Sequence, residues 1–152
     1  MKTLLLTGFG PFGEISENPS SLLVNELRKS LELPDGFRLI TEILPVIYDQ
    51  AGRRIRQLIR TQKPDILISF GVAASRNKIN LERVALNLQD AESSDNADIL
   101  KQGQMIEPQG PKAYFANLPL HEMKSVCEDA GGLTVISNHA GGYICNEVFY
   151  AA

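Results

Sequence analysis

The run Ala140-Gly141-Gly142-Tyr143-Ile144-Cys145-Asn146-Glu147 joins an apolar, strand-like stretch to a helix-like one. This order predicts that Cys145 lies at the N-terminus of a helix, where free backbone N–H groups and the positive end of the helix dipole favour the thiolate. The flanking glycines let another molecule come close to the backbone. A cysteine at an arbitrary position is more often buried and inert, but this order of strand, glycine loop, cysteine and helix favours a reactive thiol.

Short apolar runs alternate with amphipathic stretches along the rest of the chain. Strands are predicted at residues 4–6, 37–46, 66–70, 114–118 and 133–137, and helices after the Asn18-Pro19-Ser20 cap and at 48–62, 121–130 and 144–152. Residues 81–88 alternate and predict an extended strand or a hairpin arm, whereas residues 91–109 are polar and predict a long loop. This alternation predicts an α/β fold, a three-layer α/β/α sandwich with a largely parallel, mixed central sheet.

Composition limits the classes of function. The 152 residues carry a net charge of −3 and no basic patch, so we expect no nucleic-acid partner. No apolar stretch approaches the roughly 20 residues that span a bilayer, and the N-terminus does not resemble a signal peptide, so we expect a cytoplasmic protein that binds no membrane. Cys127 and Cys145 fit a reducing compartment and need not pair; Cys127 lies in a helix-like stretch where packing explains it. No cysteine and histidine set has metal-ligand spacing, so no metal is expected.

The chain is expected to form a single domain over residues 1–152. Its last helix-like stretch, from Ile144, lacks the glycine, proline or basic residue that usually closes a helix. We therefore expect the natural polypeptide to continue past Ala152, so that the domain is truncated at its C-terminus.

The run Gly8-Phe9-Gly10-Pro11-Phe12-Gly13 follows a strand and matches the G-x-G-x-x-G pattern of dinucleotide sites. In such sites the third glycine leads directly into a helix, whereas the cap signal here comes only at Asn18. Pro11 also removes a backbone donor that a phosphate would use. Phe9 and Phe12 favour a loop that forms the wall of a site for an apolar ring. The competing interpretation is a tight turn that carries two core phenylalanines. A nucleotide site is the weakest of the three interpretations.

Three segments taken together resemble one family, the cysteine peptidases called pyroglutamyl peptidase I or pyrrolidone-carboxylate peptidase. The segments are Gly8-Phe9-Gly10-Pro11-Phe12-Gly13 with Asn18-Pro19-Ser20, Leu81-Glu82-Arg83-Val84-Ala85-Leu86-Asn87 with Asp90-Ala91 and Asp95-Asn96, and Ser137-Asn138-His139-Ala140-Gly141-Gly142-Tyr143-Ile144-Cys145-Asn146. Each segment alone is weak evidence, but the three in register cover nearly the whole chain.

The resemblance implies an enzyme that removes N-terminal pyroglutamyl residues from small peptides without metal or cofactor, as a cytoplasmic homotetramer. It implies Cys145 as the nucleophile and Glu82 as the carboxylate of a Cys–His–Glu set, with Phe9 and Phe12 clamping the pyrrolidone ring. From the residues alone, Glu82 has a second interpretation, in which it forms a structural ion pair with the adjacent Arg83.

The chain departs from the family pattern at several positions. Glu92, Ser93 and Ser94 stand where the family has an arginine, an apolar residue and a proline, and Gly142 stands for a threonine. No histidine matches the family's, which lies further toward the C-terminus; surface or packing roles explain His121 and His139. The alternatives to the peptidase are therefore a catalytically impaired protein that only binds pyroglutamyl-like ligands and, third, a nucleotide-binding domain. The chain ending at Ala152 is expected to be nearly inactive on amides, because expulsion of the amine needs an acid.

Overall fold

The computed structural model describes all residues from 1 to 152 and contains seven strands and four helices. The strands are β1 (Lys2–Phe9), β2 (Phe37–Leu44), β3 (Ile66–Ser69), β4 (Ile79–Glu82), β5 (Val84–Leu86), β6 (Ala113–Phe115) and β7 (Thr134–Ser137). The helices are α1 (Pro19–Ser30), α2 (Gln50–Gln62), α3 (Leu120–Asp129) and α4 (Ile144–Ala151). None of the four helices has the length and apolarity that crossing a membrane requires.

The strands are mostly parallel. β1 lies between β2 and β3 and runs parallel to both, and β4 pairs in parallel with β7. Only the short pair of β5 and β6 is antiparallel. The carboxyl ends of parallel strands meet at one edge of a sheet, which is where open α/β folds place their ligands. The predicted α/β class, with a largely parallel and mixed set of strands, is confirmed.

Helices pack against both faces of β1. Successive side chains of a strand point to opposite faces, so different residues of β1 meet different helices. Leu5 and Phe9 pack into a core that includes Ile55 of α2 and Ile144 of α4. Gly8 faces α1 instead, so closely that a Cβ added to it would lie 2.6 Å from the carbonyl oxygen of Ser20. Helix α4 is therefore part of the main core rather than an appendage.

Some boundaries differ from the sequence predictions. β1 extends beyond the predicted residues 4–6 and ends at Phe9, whose N–H donates to Ser20 Oγ (2.9 Å). The stretch 81–88 is not one strand, because Arg83 divides it: the Arg83 N–H continues the pairing to Ser137, while its carbonyl accepts from Ala116 beside β6. α2 begins two residues late because Asp49 adopts a left-handed conformation (φ 62°).

The glycine loop does not have the geometry of a nucleotide site. α1 begins at Pro19, six residues after Gly13, and its N-terminus is closed by Asn18 Oδ1, which accepts from the Ser20 N–H (3.0 Å). The helix N-terminus that would hold a pyrophosphate is therefore already capped, as the displaced cap signal in the sequence indicated.

Candidate active site

Cys145 lies on the first turn of α4, as its sequence context predicts. Gly141 turns the chain out of the segment after β7 with a left-handed backbone (φ 86°), which glycine adopts at little cost. Tyr143 then adopts an extended conformation as the N-cap. The thiol is thus placed where unpaired backbone N–H groups of a helix gather.

Asn146 fixes this turn to β5 and the residues just after it. Its side chain is fully buried: Oδ1 accepts from the N–H of Leu86, and Nδ2 donates to the carbonyls of Leu86 and Leu88, each at 2.9 Å. Because β5 follows β4 after one residue, Asn146 ties the Cys145 turn to the segment that carries Glu82.

Glu147 fixes the same turn to α2. Its carboxylate, 1% exposed, accepts from the N–H groups of Asp49 (2.9 Å) and Gly52 (3.0 Å) and from Gln89 Nε2 (2.8 Å). The pKa of Glu147 is raised by burial, and the hydrogen bonds from these donors oppose that shift. An added Cβ on Gly52 would meet Glu147 Oε1 at 2.5 Å, so that position leaves room only for glycine.

The surroundings of Cys145 raise the pKa of its thiol to about 11. Burial is the main cause, the negative charge of Glu82 adds to it, and backbone N–H groups of Cys145 and Val72 oppose it. Desolvation therefore opposes the thiolate-favouring effect that the sequence predicts for the helix N-terminus. Gly71 allows this close packing: a Cβ there would lie 2.9 Å from the Cys145 Sγ.

Glu82 lies close enough to Cys145 for its charge to act on the thiol. Arg76 Nη1 donates to Glu82 Oε1 (2.8 Å), and Arg76 Nη2 donates to the carbonyl of His139 (2.7 Å). The other carboxylate oxygen, Oε2, is buried and has no hydrogen-bond partner. Glu82 is thus in an ion pair, but with Arg76 rather than with the adjacent Arg83, and its buried Oε2 remains without a hydrogen-bond partner.

The two loop phenylalanines occupy different positions. Phe9 is 3% exposed and belongs to the core, next to Gly71 and below the thiol. Phe12 is half-buried, with its ring centroid 6.2 Å from that of Tyr143, which in turn meets Tyr48 edge-on (5.6 Å, 84°). Phe12 and Tyr143 therefore form an aromatic surface two residues from Cys145, and Tyr143 is a candidate that sequence reasoning missed.

The long polar loop folds back over this aromatic surface. The buried Asp95 carboxylate accepts from the N–H groups of Tyr48 (2.8 Å), Ala97 (2.8 Å) and Ile99 (2.9 Å), and these hydrogen bonds help to hold its pKa low although burial opposes them. Asn96 Nδ2 donates to the carbonyl of Pro11 (2.7 Å). The loop is therefore an ordered wall of the site.

Neither histidine reaches the thiol or Glu82. His139 is exposed, and its Nδ1 accepts from the Gly141 N–H (2.9 Å). His121 is exposed on α3. No three histidine, cysteine, aspartate or glutamate side chains lie together in a way that could hold a metal ion.

Neutralising Glu82 should make Cys145 more reactive. In a Cys127→Ser background, Glu82→Gln removes the negative charge that raises the pKa of the thiol, so the thiolate fraction at a fixed pH increases. We expect alkylation by iodoacetamide at about pH 9 to be about two- to tenfold faster than with Glu82 present. With Glu82 present, the rate should rise from pH 7 to pH 10 without a plateau; a plateau near neutral pH would contradict the raised pKa.

Comparisons with known proteins agree with these features. A family model described as pyroglutamyl peptidase matches residues 1–152. Proteins named pyrrolidone-carboxylate peptidase from Oceanobacillus iheyensis and Deinococcus radiodurans are 40% and 41% identical over the whole chain, which covers 75% and 69% of their lengths. The crystal structure of Bacillus amyloliquefaciens pyroglutamyl peptidase I is 34% identical with a TM-score of 0.92, over 99% of this chain and 72% of that one.

Proposed function

The chain belongs to the pyroglutamyl peptidase family and is a hydrolase of the cysteine peptidase class, and from this premise we propose that it removes N-terminal pyroglutamyl residues from small peptides with Cys145 as nucleophile. One constellation supports the proposal: a thiol on the first turn of α4, a carboxylate with a free buried oxygen whose charge acts on that thiol, and an aromatic surface that includes Tyr143, two residues before the thiol.

In the proposed reaction the Cys145 thiolate attacks the carbonyl carbon of the pyroglutamyl residue. Backbone N–H groups at the start of α4 stabilise the oxyanion of the tetrahedral intermediate, an effect worth about 3 kcal/mol where it has been measured. The C–N bond then breaks, the amine leaves with a proton, and a thioester remains on Cys145. Water hydrolyses the thioester, releases pyroglutamate and regenerates the thiol.

Glu82 is proposed to orient the imidazole that moves these protons, as the resemblance implies. Its free Oε2 suits an imidazole N–H, while Arg76 holds Oε1. Neither His121 nor His139 occupies that place. Since general acid–base catalysis contributes roughly 10²–10⁴-fold, amide hydrolysis by these 152 residues is expected to be slow, whereas acylation by an ester with a good leaving group needs no acid.

The ring of the substrate suits the aromatic surface, because a lactam carries no charge and an apolar pocket binds it without arginine or lysine. We propose that Phe12 contacts the ring directly and that Phe9 supports it from the core. Family resemblance adds a cytoplasmic location and a homotetrameric state to the proposal. Sedimentation of the purified protein would test the homotetramer.

Phe12→Ala should weaken binding of a pyroglutamyl ligand by about 1–3 kcal/mol if the whole contact is lost. The measurement is the concentration of pyroglutamyl-alanine amide that protects Cys145 from iodoacetamide. Phe115→Ala is the matched control, because Phe115 is 72% exposed on β6 and outside the site. Equal protection in the parent and in Phe12→Ala would show that the loop is only a structural turn.

The second candidate, a protein that binds pyroglutamyl ligands without cleaving them, is favoured by the surroundings of Cys145, where neither histidine hydrogen-bonds to the thiol and burial raises the pKa of that thiol. The pyroglutamyl p-nitrophenyl ester separates the two candidates. The peptidase should release p-nitrophenolate with this ester and much more slowly with the prolyl ester, whose ring carries a charged amine. A non-catalytic binder should release none beyond the uncatalysed rate, and equal catalysed rates with both esters would contradict specificity for the lactam.

A further inference from the structure

The segment from Asp90 to Ser94 forms an arch beside Cys145, fastened at both ends to the residues just before it. At one end the Asp90 N–H donates to the carbonyl of Gly142 (2.8 Å). At the other end Tyr143 Oη donates to the carbonyl of Ser94 (3.1 Å). The contact at Gly142 is so close that an added Cβ would lie 2.2 Å from the Asp90 carbonyl oxygen.

Glu92 stands at the middle of this arch. It is two residues from each fastened end, so its Cα lies within about 8 Å of the Cα atoms of both Asp90 and Ser94. Glu92 is exposed and takes part in no hydrogen bond or ion pair. Glu92 therefore lies between two residues that are tied to Gly142 and Tyr143, and its carboxylate is unpaired.

The charges around Glu92 do not neutralise it. Lys101, whose carbonyl accepts from the Ala91 N–H, directs its ammonium to Asp49 (3.4 Å). Asp90 is exposed, and its carboxylate accepts only from the Gly103 N–H (3.1 Å). The rim beside the aromatic surface is thus anionic.

A peptide substrate held by its ring has further residues that lie outside the ring site. We propose that, with the ring on Phe12 and Tyr143 and the carbonyl at the Cys145 Sγ, the rest of the peptide leaves toward solvent past the arch, where Glu92 determines specificity for the residue that follows the pyroglutamyl group and favours lysine or arginine. This inference rests on the proposed function and names the class of peptide it uses.

The test is protection of Cys145 from iodoacetamide, which requires binding but no turnover. In a Cys127→Ser background the probes are pyroglutamyl-lysine amide, pyroglutamyl-alanine amide and pyroglutamyl-glutamate amide. The lysine peptide should protect at a concentration about two- to fivefold lower than the alanine peptide, the range expected of one exposed ion pair. Glu92→Gln should remove this difference, and Glu92→Arg should shift the preference to the glutamate peptide.

Glu32→Gln is the matched control, since Glu32 is an exposed carboxylate just after the far end of α1, and it should keep the preference of the parent. An unchanged ratio between the lysine and alanine peptides in Glu92→Gln would overturn the specificity proposal while leaving the proposed function intact. Failure of all three peptides to protect Cys145 would overturn the proposed function itself.

Discussion

Replacing Cys145 with serine should lower the rate of p-nitrophenolate release from the pyroglutamyl ester at least about a hundredfold. An unactivated serine hydroxyl is a much weaker nucleophile than a thiol. Neither histidine of the chain hydrogen-bonds to residue 145, so no imidazole would activate the hydroxyl. Release should be measured at about pH 9, where the raised pKa of the Cys145 thiol still leaves some thiolate.

The matched control for this prediction is Cys127→Ser. Cys127 is the other free thiol, half-buried on α3 and outside the constellation of Cys145, Glu82 and Phe12. It should keep the rate of the parent protein. A rate that falls in Cys127→Ser and persists in Cys145→Ser would move the chemistry away from α4.

Glu147→Ala should destabilise the protein by about 2–4 kcal/mol and also slow acylation of Cys145. The change leaves the buried Gly52 N–H and the part-buried Asp49 N–H without their side-chain acceptor and removes one of the two acceptors of Gln89 Nε2, and each orphaned buried donor costs about 1–3 kcal/mol. Removal of a carboxylate whose pKa is raised by burial offsets part of that loss. Urea unfolding followed by circular dichroism measures the change.

Glu26→Ala is the control for stability, because Glu26 is an exposed carboxylate on α1 with only a distant ion pair to Lys29 (4.0 Å). It should change the free energy of unfolding by less than about 0.5 kcal/mol. If Glu147→Ala were equally mild, the buried carboxylate would not be what joins α2 to α4.

The sequence predicted those features of the fold that depend on interactions between residues close together in the chain. The Asn18-Pro19-Ser20 cap works through atoms within two residues of each other, and it starts α1 where expected. The glycine loop before Cys145 likewise delivers the thiol to the first turn of α4. Apolar runs at strand spacing located most of the strands, because alternation and burial are properties of short windows of sequence.

Long-range partners were outside the reach of that reasoning. Glu147 meets Asp49, 98 residues away, and Asn146 meets Leu86, 60 residues away, so no window of sequence shows that these side chains fix α4. The pKa of the Cys145 thiol is raised because distant segments bury it, with Gly71 allowing close approach. The same limit explains the pairing of Glu82 with Arg76 rather than with its neighbour Arg83.

The measurement that tests the central claim most directly is the location of the acyl group after the protein reacts with the pyroglutamyl p-nitrophenyl ester. The reaction is stopped with acid to preserve the thioester. The masses of the intact protein and of its peptic fragments are then measured by mass spectrometry. The proposed mechanism predicts one pyroglutamyl group per chain, on the fragment that contains Cys145, and none in Cys145→Ser. An acyl group on Cys127 or on a lysine, or no adduct while p-nitrophenolate release stays at the uncatalysed rate, would contradict it.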